Sequence, residues 1–276
     1  MKRHRGCCSG AKHKVQFPRH CHVGAGGRVQ VARARSWITF LTLLVVTHMA
    51  FATPLYAPDP ERFTQEAAER MIAVGRGMLA PVYGPLAEQI VNDFNLDALP
   101  EGIGIDLGGG SGNLLLELCR RTQLHWINAD INPHFFAHFF EEATARGLGH
   151  RVSAIFADAH ALPFRDDYAD IIVSRGSYHF WDDKGQGFSE IMRVLKPGGV
   201  AWIGRGFARD MPAEVARPIR DKQGAAMVYD RQAEAESLKA LFAALHIETY
   251  RIEIPEAPDD SGLNYGIWIE LHAPME

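Results

Sequence analysis

Apolar and polar positions along this chain change period repeatedly, and the changes mark out alternating helices and strands. Beyond a proline-bearing linker at 54–60, Phe63, Ala67, Met71 and Val74 recur at helical spacing and predict a helix over 61–78. Leu86, Ile90, Val91 and Phe94 predict a second over 82–94. A buried strand follows at 102–107 and runs into Gly108, Gly109, Gly110, Ser111 and Gly112. Leu114, Leu115, Leu116 and Leu118 then supply the apolar face of a helix over 113–121. Strands are expected at 124–129, 152–156, 169–174 and 200–204. Helices separate them at 133–146, where Phe135, Phe136, Phe139 and Phe140 read as core, and from about 185 into the run 191–199. The segment 211–223 reads as an inserted helix or lid, 231–245 as a further helix, 246–254 as a strand and 265–271 as the last strand. Two strands joined without a helix must be antiparallel. Seven strands alternating with helices predict an α/β, doubly wound sheet, mostly parallel, with two helices ahead of it.

The glycine turn carries the first chemistry. Backbone N–H groups at the start of a helix have no intrahelical partner and can receive a polar ligand. Glycines adopt positive φ and let a ligand approach the backbone. The spacing is Asp106-x-Gly108-x-Gly110-x-Gly112, whereas a dinucleotide fingerprint starting at Gly108 would need its last glycine where Asn113 stands. This weakens an NAD-type oxidoreductase reading without removing it. The pattern resembles motif I of the class I S-adenosylmethionine (SAM) methyltransferases. Two later stretches strengthen the resemblance. Asp158-Ala159-His160-Ala161-Leu162-Pro163-Phe164 is similar to that family's "Asp-Ala-x-x-Leu-Pro-Phe" segment, and Arg193-Val194-Leu195-Lys196-Pro197-Gly198-Gly199 closes a helix as the family does. The likeness spans about residues 100–204 and points to the methyltransferase type 11, or ubiquinone/menaquinone-biosynthesis-like, branch.

The resemblance implies a Rossmann-like sheet with N-terminal lid helices, SAM as cofactor, and methyl transfer to a small-molecule acceptor by in-line displacement; a SAM-binding protein without transferase activity is the alternative. It implies cofactor contacts at Asp106, Gly108, Gly110, Gly112, Asp130, Ile131, Asp158, Ala159 and Ser174. Asp130 lies 18 residues beyond Gly112, near where a carboxylate meets a ribose diol; without a cofactor it would be a helix cap. Asp158 and Ala159 match positions that meet the adenine. His179, Arg205 and Tyr178 are acceptor-site candidates, with Trp181 and Asp182 beside them. His179 could serve as a base near neutral pH, and Arg205 could pair with an acidic substrate. Tyr56, Met78 and Tyr83 are candidate lid contacts. The donor's methyl group is already reactive, so a missing Ser/His/Asp or Cys/His set does not count against an enzyme.

Charge and cysteines adjust this picture. Nine of the 29 basic residues and none of the 33 acidic ones lie within 1–36, leaving the remainder with 20 basic against 33 acidic. An acidic body disfavours a nucleic-acid partner. Cys7, Cys8 and Cys21 sit in the basic head and Cys119 alone in the body, so no disulfide or thiol cluster is expected there. Cys21 between His20 and His22 lacks a second pair at zinc-finger spacing, and no metal is expected. Residues 37–52 are apolar and end in Ala50-Phe51-Ala52, the form of a signal peptide. At about 16 residues the run is short for a membrane span. Export conflicts with SAM, which is held in the cytosol. The favoured resolution is a natural start at Met49, with a start near Val29 or Val31 and a used signal as the alternative. The expected division is therefore 1–52 outside the fold, 53–99 as N-terminal helices and 100–276 as the SAM-binding domain, in the cytoplasm, with no stable membrane partner.

Overall fold

The computed structural model describes residues 63–224, 229–259 and 261–275. The signal-like segment, Met49, the linker at 54–60, Tyr56, and the cysteines and histidines of the head lie outside the described residues.

Two helices come first. Helix α1, Gln65–Arg76, begins at Thr64, whose hydroxyl accepts a hydrogen bond from the Ala67 amide. That cap places the start a turn later than the pattern suggests, because the threonine side chain satisfies a free amide of the first turn. Helix α2 spans Ala80–Asp93, with Val82, Leu86, Ala87, Ile90 and Val91 buried. Strand β1, Ile103–Leu107, leads through the glycine turn into α3, Asn113–Arg121. Strand β2 is His125–Asp130, followed by a short 3-10 turn and α4, Phe136–Ala145. Strands β3, Val152–Phe156, and β4, Ala169–Arg175, precede α5, Lys184–Val194, and β5, Leu195–Gly206. The chain ends with α6, Ala213–Gln223, α7, Arg231–Ala244, β6, Tyr250–Glu253, and β7, Gly266–His272.

These strands form one sheet in the order β3-β2-β1-β4-β5-β7-β6. The first five are parallel, and β7 runs antiparallel to both β5 and β6. Both faces are covered, so the central strands are apolar at successive positions rather than alternate ones. Ile171 and Val173 belong to one core cluster while Ile172, between them, belongs to the other. The same holds for β7: Trp268 stacks on Trp202 at 3.6 Å on one side, and Ile267 and Ile269 are buried on the other.

Three expectations are corrected. Phe140 is 41% exposed, whereas Phe135 and Phe139 are buried; four aromatics in six positions cannot all face inward at 3.6 residues per turn. Leu195 pairs with Ala169 and Val200 with Ile171, so residues 196–199 bulge from β5 instead of preceding it. Strand β6 starts at Tyr250, not His246, because His246 takes a left-handed φ of 56° and ends the α7 segment.

Candidate functional site

The parallel strands all end on one edge of the sheet, and their tips open on a cavity of about 540 Å³. Ligands of open α/β sheets bind at this edge, where the strand order reverses on either side of β1. Phe63, Ala67, Met71, Leu79 and Tyr83, on and beside α1 and α2, close the cavity from above. Asn132 Nδ2 donates to the Thr64 carbonyl at 3.3 Å and ties the start of α1 to the tip of β2.

Asp106 is the penultimate residue of β1 and is almost wholly buried. Helix α3 has glycine at its N-cap and so no capping side chain of its own. The Asp106 carboxylate reaches the Leu115 amide in the first turn and takes that role from outside the helix. Burial, and then the charge of Asp130, push its pKa up to about 7. Asp130 closes β2. Its Oδ2 accepts from the Gly110 amide at 2.8 Å and its Oδ1 from the Asn132 amide at 2.8 Å. Burial holds its pKa up at about 6 against those two hydrogen bonds. Each carboxylate oxygen has two lone pairs, so capacity remains for a ligand's hydroxyls.

The turn between is pinned from both sides. Asn128 Nδ2 donates to the Gly110 carbonyl at 2.9 Å while Asp130 receives the Gly110 amide. Gly110 has φ 54°, and a Cβ added there would meet nothing closer than the Phe135 ring at 3.8 Å. Its Cα is a bare patch of cavity wall. Gly112 differs: it has φ 75°, but a Cβ would fall 2.3 Å from Phe139.

At the third tip Asp158 Oδ1 is engaged by the His160 amide at 2.9 Å and by His160 Nδ1 at 2.7 Å. The Asp183 amide donates to His160 Nε2, so Nδ1 carries the proton and donates to the aspartate. Nine of the residues expected at the site line the cavity: Asp106, Gly108, Gly110, Asp130, Ile131, Asp158, Ala159, His179 and Arg205. Trp181, Asp182 and Tyr83 line it too, and Met78 does not.

Three named positions do not reach it. Gly112 is turned to Phe139, as above. Ser174 is fully buried, with its hydroxyl paired to that of Ser177, and Ser177 in turn donates to the Leu107 carbonyl. Tyr178 is fully buried among the core residues on one face of the sheet and donates to Glu234 of α7. The short turn Tyr178–Phe180 rotates alternate residues, so His179 faces the cavity and Tyr178 the core. Sequence reasoning missed Arg175 and Arg220. Arg175 ends β4, lies 5.6 Å from the Tyr83 ring and has its pKa lowered by burial. Arg220 sits in the stripe Ala213, Ala216, Ile219, Arg220 that α6 buries. An arginine inside an apolar stripe is the signal that could have found it.

Residues 105–203 match the family model described as a methyltransferase domain. Over this stretch the chain is similar to class I SAM-dependent methyltransferases. A ubiquinone/menaquinone biosynthesis C-methyltransferase UbiE from Vibrio campbellii is 34% identical over 119 residues, 42% of this chain and 42% of that one. The chloroplastic 2-methyl-6-phytyl-1,4-hydroquinone methyltransferase of spinach is 36% identical over 115 residues, 38% of this chain and 32% of that one. The matches thus span about a third to two fifths of these relatives' length. A Methanococcus maripaludis protein assigned as a SAM-dependent methyltransferase superposes with a TM-score of 0.67 at 26% identity, covering 80% of this chain and 98% of that one. The matched residues include the glycine turn, all three strand-tip carboxylates and the Arg193–Gly199 stretch. Among the described residues no helix is long and apolar enough to cross a membrane, and no three His, Cys, Asp or Glu side chains are grouped to hold a metal ion.

Proposed function

We propose that this protein transfers the methyl group of SAM to a small-molecule acceptor. The observation that carries the reading is the bare Cα of Gly110, open to the cavity between three carboxylates at the tips of β1, β2 and β3. That cradle fits an adenosyl sulfonium: two buried acids with raised pKa values face a cationic ligand, and a third lies one strand further out. When bound, SAM supplies an activated methyl group that a nucleophile takes by in-line displacement. The chain's own residues position and enclose. Asp106 faces the cationic amino-acid end, Asp130 accepts from the ribose hydroxyls, and Asp158 with the Ala159 amide meets the adenine beside Ile131. Tyr83, Met71 and Phe63 exclude water, and His179, at the β4 tip, is placed to take a proton from the acceptor. Orientation of this kind supplies up to roughly 7–11 kcal/mol of a barrier.

The named relatives act, by their names, on quinone-type molecules, which supports an acceptor of small-molecule size. The division into a leading segment at 1–52, covering helices at 53–99 and a catalytic domain at 100–276, acting in the cytoplasm where SAM is made, belongs to the same proposal. Calorimetric titration tests the core of it. SAM and S-adenosylhomocysteine are expected to bind one per chain, with NAD showing no heat of binding. NAD binding in place of SAM would overturn the reading, and methyl acceptance from a metabolite panel would extend it to turnover.

A further inference from the structure

The β4–β5 end of the cavity holds more positive charge than methyl transfer requires. Arg175 comes from β4, Arg205 from β5 and Arg220 from α6, and all three line the cavity. Asp106, Asp130 and Asp158 lie at the tips of β1, β2 and β3, and Asp182, beyond the β4 tip, lines the cavity too. Arg205 is ion-paired to Glu234 at 3.0 Å and lies over Tyr229, with Cζ 3.5 Å from the ring centre. Arg220 is 7% exposed and has only neutral partners: Nε donates to the Asn264 carbonyl at 2.6 Å and Nη1 to the Gln223 amide oxygen at 2.8 Å. Its Nη2 is buried with no hydrogen-bond partner, and so is Arg205 Nε. A buried donor left unmade costs about 1–3 kcal/mol, more when charged. Burial, joined by the charges of Arg175, Arg231 and Arg205, pulls the Arg220 pKa down to about 10. Guanidinium groups that line one cavity, with Glu234 paired to Arg205, accept an oxyanion better than any neutral group.

We propose that the methyl acceptor is an apolar small molecule bearing a carboxylate or other oxyanion, held by Arg220 and Arg205 at the β4–β5 end of the cavity. This rests on the methyl-transfer reading above. The apolar part faces Phe180, Trp181 and Met71, which line the same cavity. The cofactor's own carboxylate is the competing occupant. Strand β4 lies between β1 and β5, so the tips of β1 and β5 are roughly 10 Å apart. Arg175, on β4 and within electrostatic reach of Asp106, is the arginine that spacing assigns to the cofactor.

The test titrates the protein loaded with S-adenosylhomocysteine using three probes: 3-phenylpropanoate, its uncharged amide and phenyl phosphate. At least one anion is expected to bind about tenfold or more tighter than the amide, about 1.4 kcal/mol or more, and the tighter of the two identifies the oxyanion. Arg220→Met is expected to remove that preference while S-adenosylhomocysteine affinity stays within about threefold of the parent. Should Arg220→Met fail to fold, Arg205→Gln carries the same expectation. Three results overturn the proposal: equal binding of amide and anions, an anion preference that survives the substitution, or a folded Arg220→Met protein that has lost S-adenosylhomocysteine. A parent protein that binds no S-adenosylhomocysteine at all overturns instead the reading on which this one stands.

Discussion

Gly110→Ala is expected to leave a folded protein that no longer holds SAM well, while Gly112→Ala, two residues on, is expected to melt well below it. Both glycines have left-handed backbone, so each alanine carries about 1–2 kcal/mol of conformational strain. The two differ in what surrounds the new methyl group. At position 110 it meets only Phe135, at an ordinary 3.8 Å, and otherwise occupies cavity. At position 112 it is driven to 2.3 Å from the ring of Phe139, which is fully buried. Overpacking a core of that kind adds about 1–3 kcal/mol to the strain, a large part of a domain's total stability. Thermal melting should separate the two, with Gly112→Ala well below Gly110→Ala. Calorimetry on Gly110→Ala should show SAM affinity down by roughly 10–100-fold, the order expected when about 1.4–2.7 kcal/mol of contact is lost. Parental SAM binding by Gly110→Ala would mean that the ligand lies elsewhere. Equal melting of the two variants would mean that the turn has no cavity-facing glycine.

Much of this site could be read along the chain because its parts are local. The strand at 102–107, the turn and the helix at 113–121 are contiguous, and their periodicity is set by backbone geometry. Helix α3 was expected at the bounds it occupies, since glycine stops it on one side and its leucines fill one face. Strand β3 was likewise legible, as a short apolar run between polar turns. What could not be read is orientation and convergence. Tyr178 and His179 are neighbours, and nothing in a polar-aromatic loop says which faces the core; a single 3-10 turn decides it. Arg175 and Arg220 are 45 positions apart and meet only because α6 folds back over the β4 and β5 tips. The role of Asp106 as a cap for α3 also depends on three dimensions, because the helix begins seven residues later and its own N-cap has no side chain. Phe140 escapes a reading of hydrophobicity alone, because its burial depends on the angle its position subtends on the helix.

The same buried aspartate gives a second large expectation, in which stability and binding move in opposite directions. A carboxyl whose pKa is raised from 3.8 to about 7 by folding holds its proton more tightly in the native than in the unfolded chain. Its contribution to stability is therefore complete below about pH 4 and is lost as pH rises through 7. The loss amounts to roughly 4 kcal/mol at most. Asp130, raised to about 6, adds a smaller loss of the same sign at lower pH. Asp106→Asn keeps an oxygen that can accept from the Leu115 amide and has no charge to bury. Above pH 7.5 the ligand-free variant should thus be more stable than the parent, by roughly 1–3 kcal/mol once the cost of burying the amide is allowed for. At pH 5 the two should melt together. SAM affinity should move the other way. The ionised carboxylate is what attracts the cationic ligand, so affinity in the parent should climb between pH 5.5 and 8 and flatten above. In Asp106→Asn it should be roughly 10–100-fold weaker at pH 8, the loss expected when one charged partner goes, with a shallower pH dependence carried by Asp130. Melting curves across that range, paired with titrations at the same pH values, check both halves. A variant less stable than the parent at pH 8 would mean that Asp106 is held ionised by partners stronger than its burial. An unchanged SAM affinity would remove Asp106 from the binding site while leaving its place as the cap of α3.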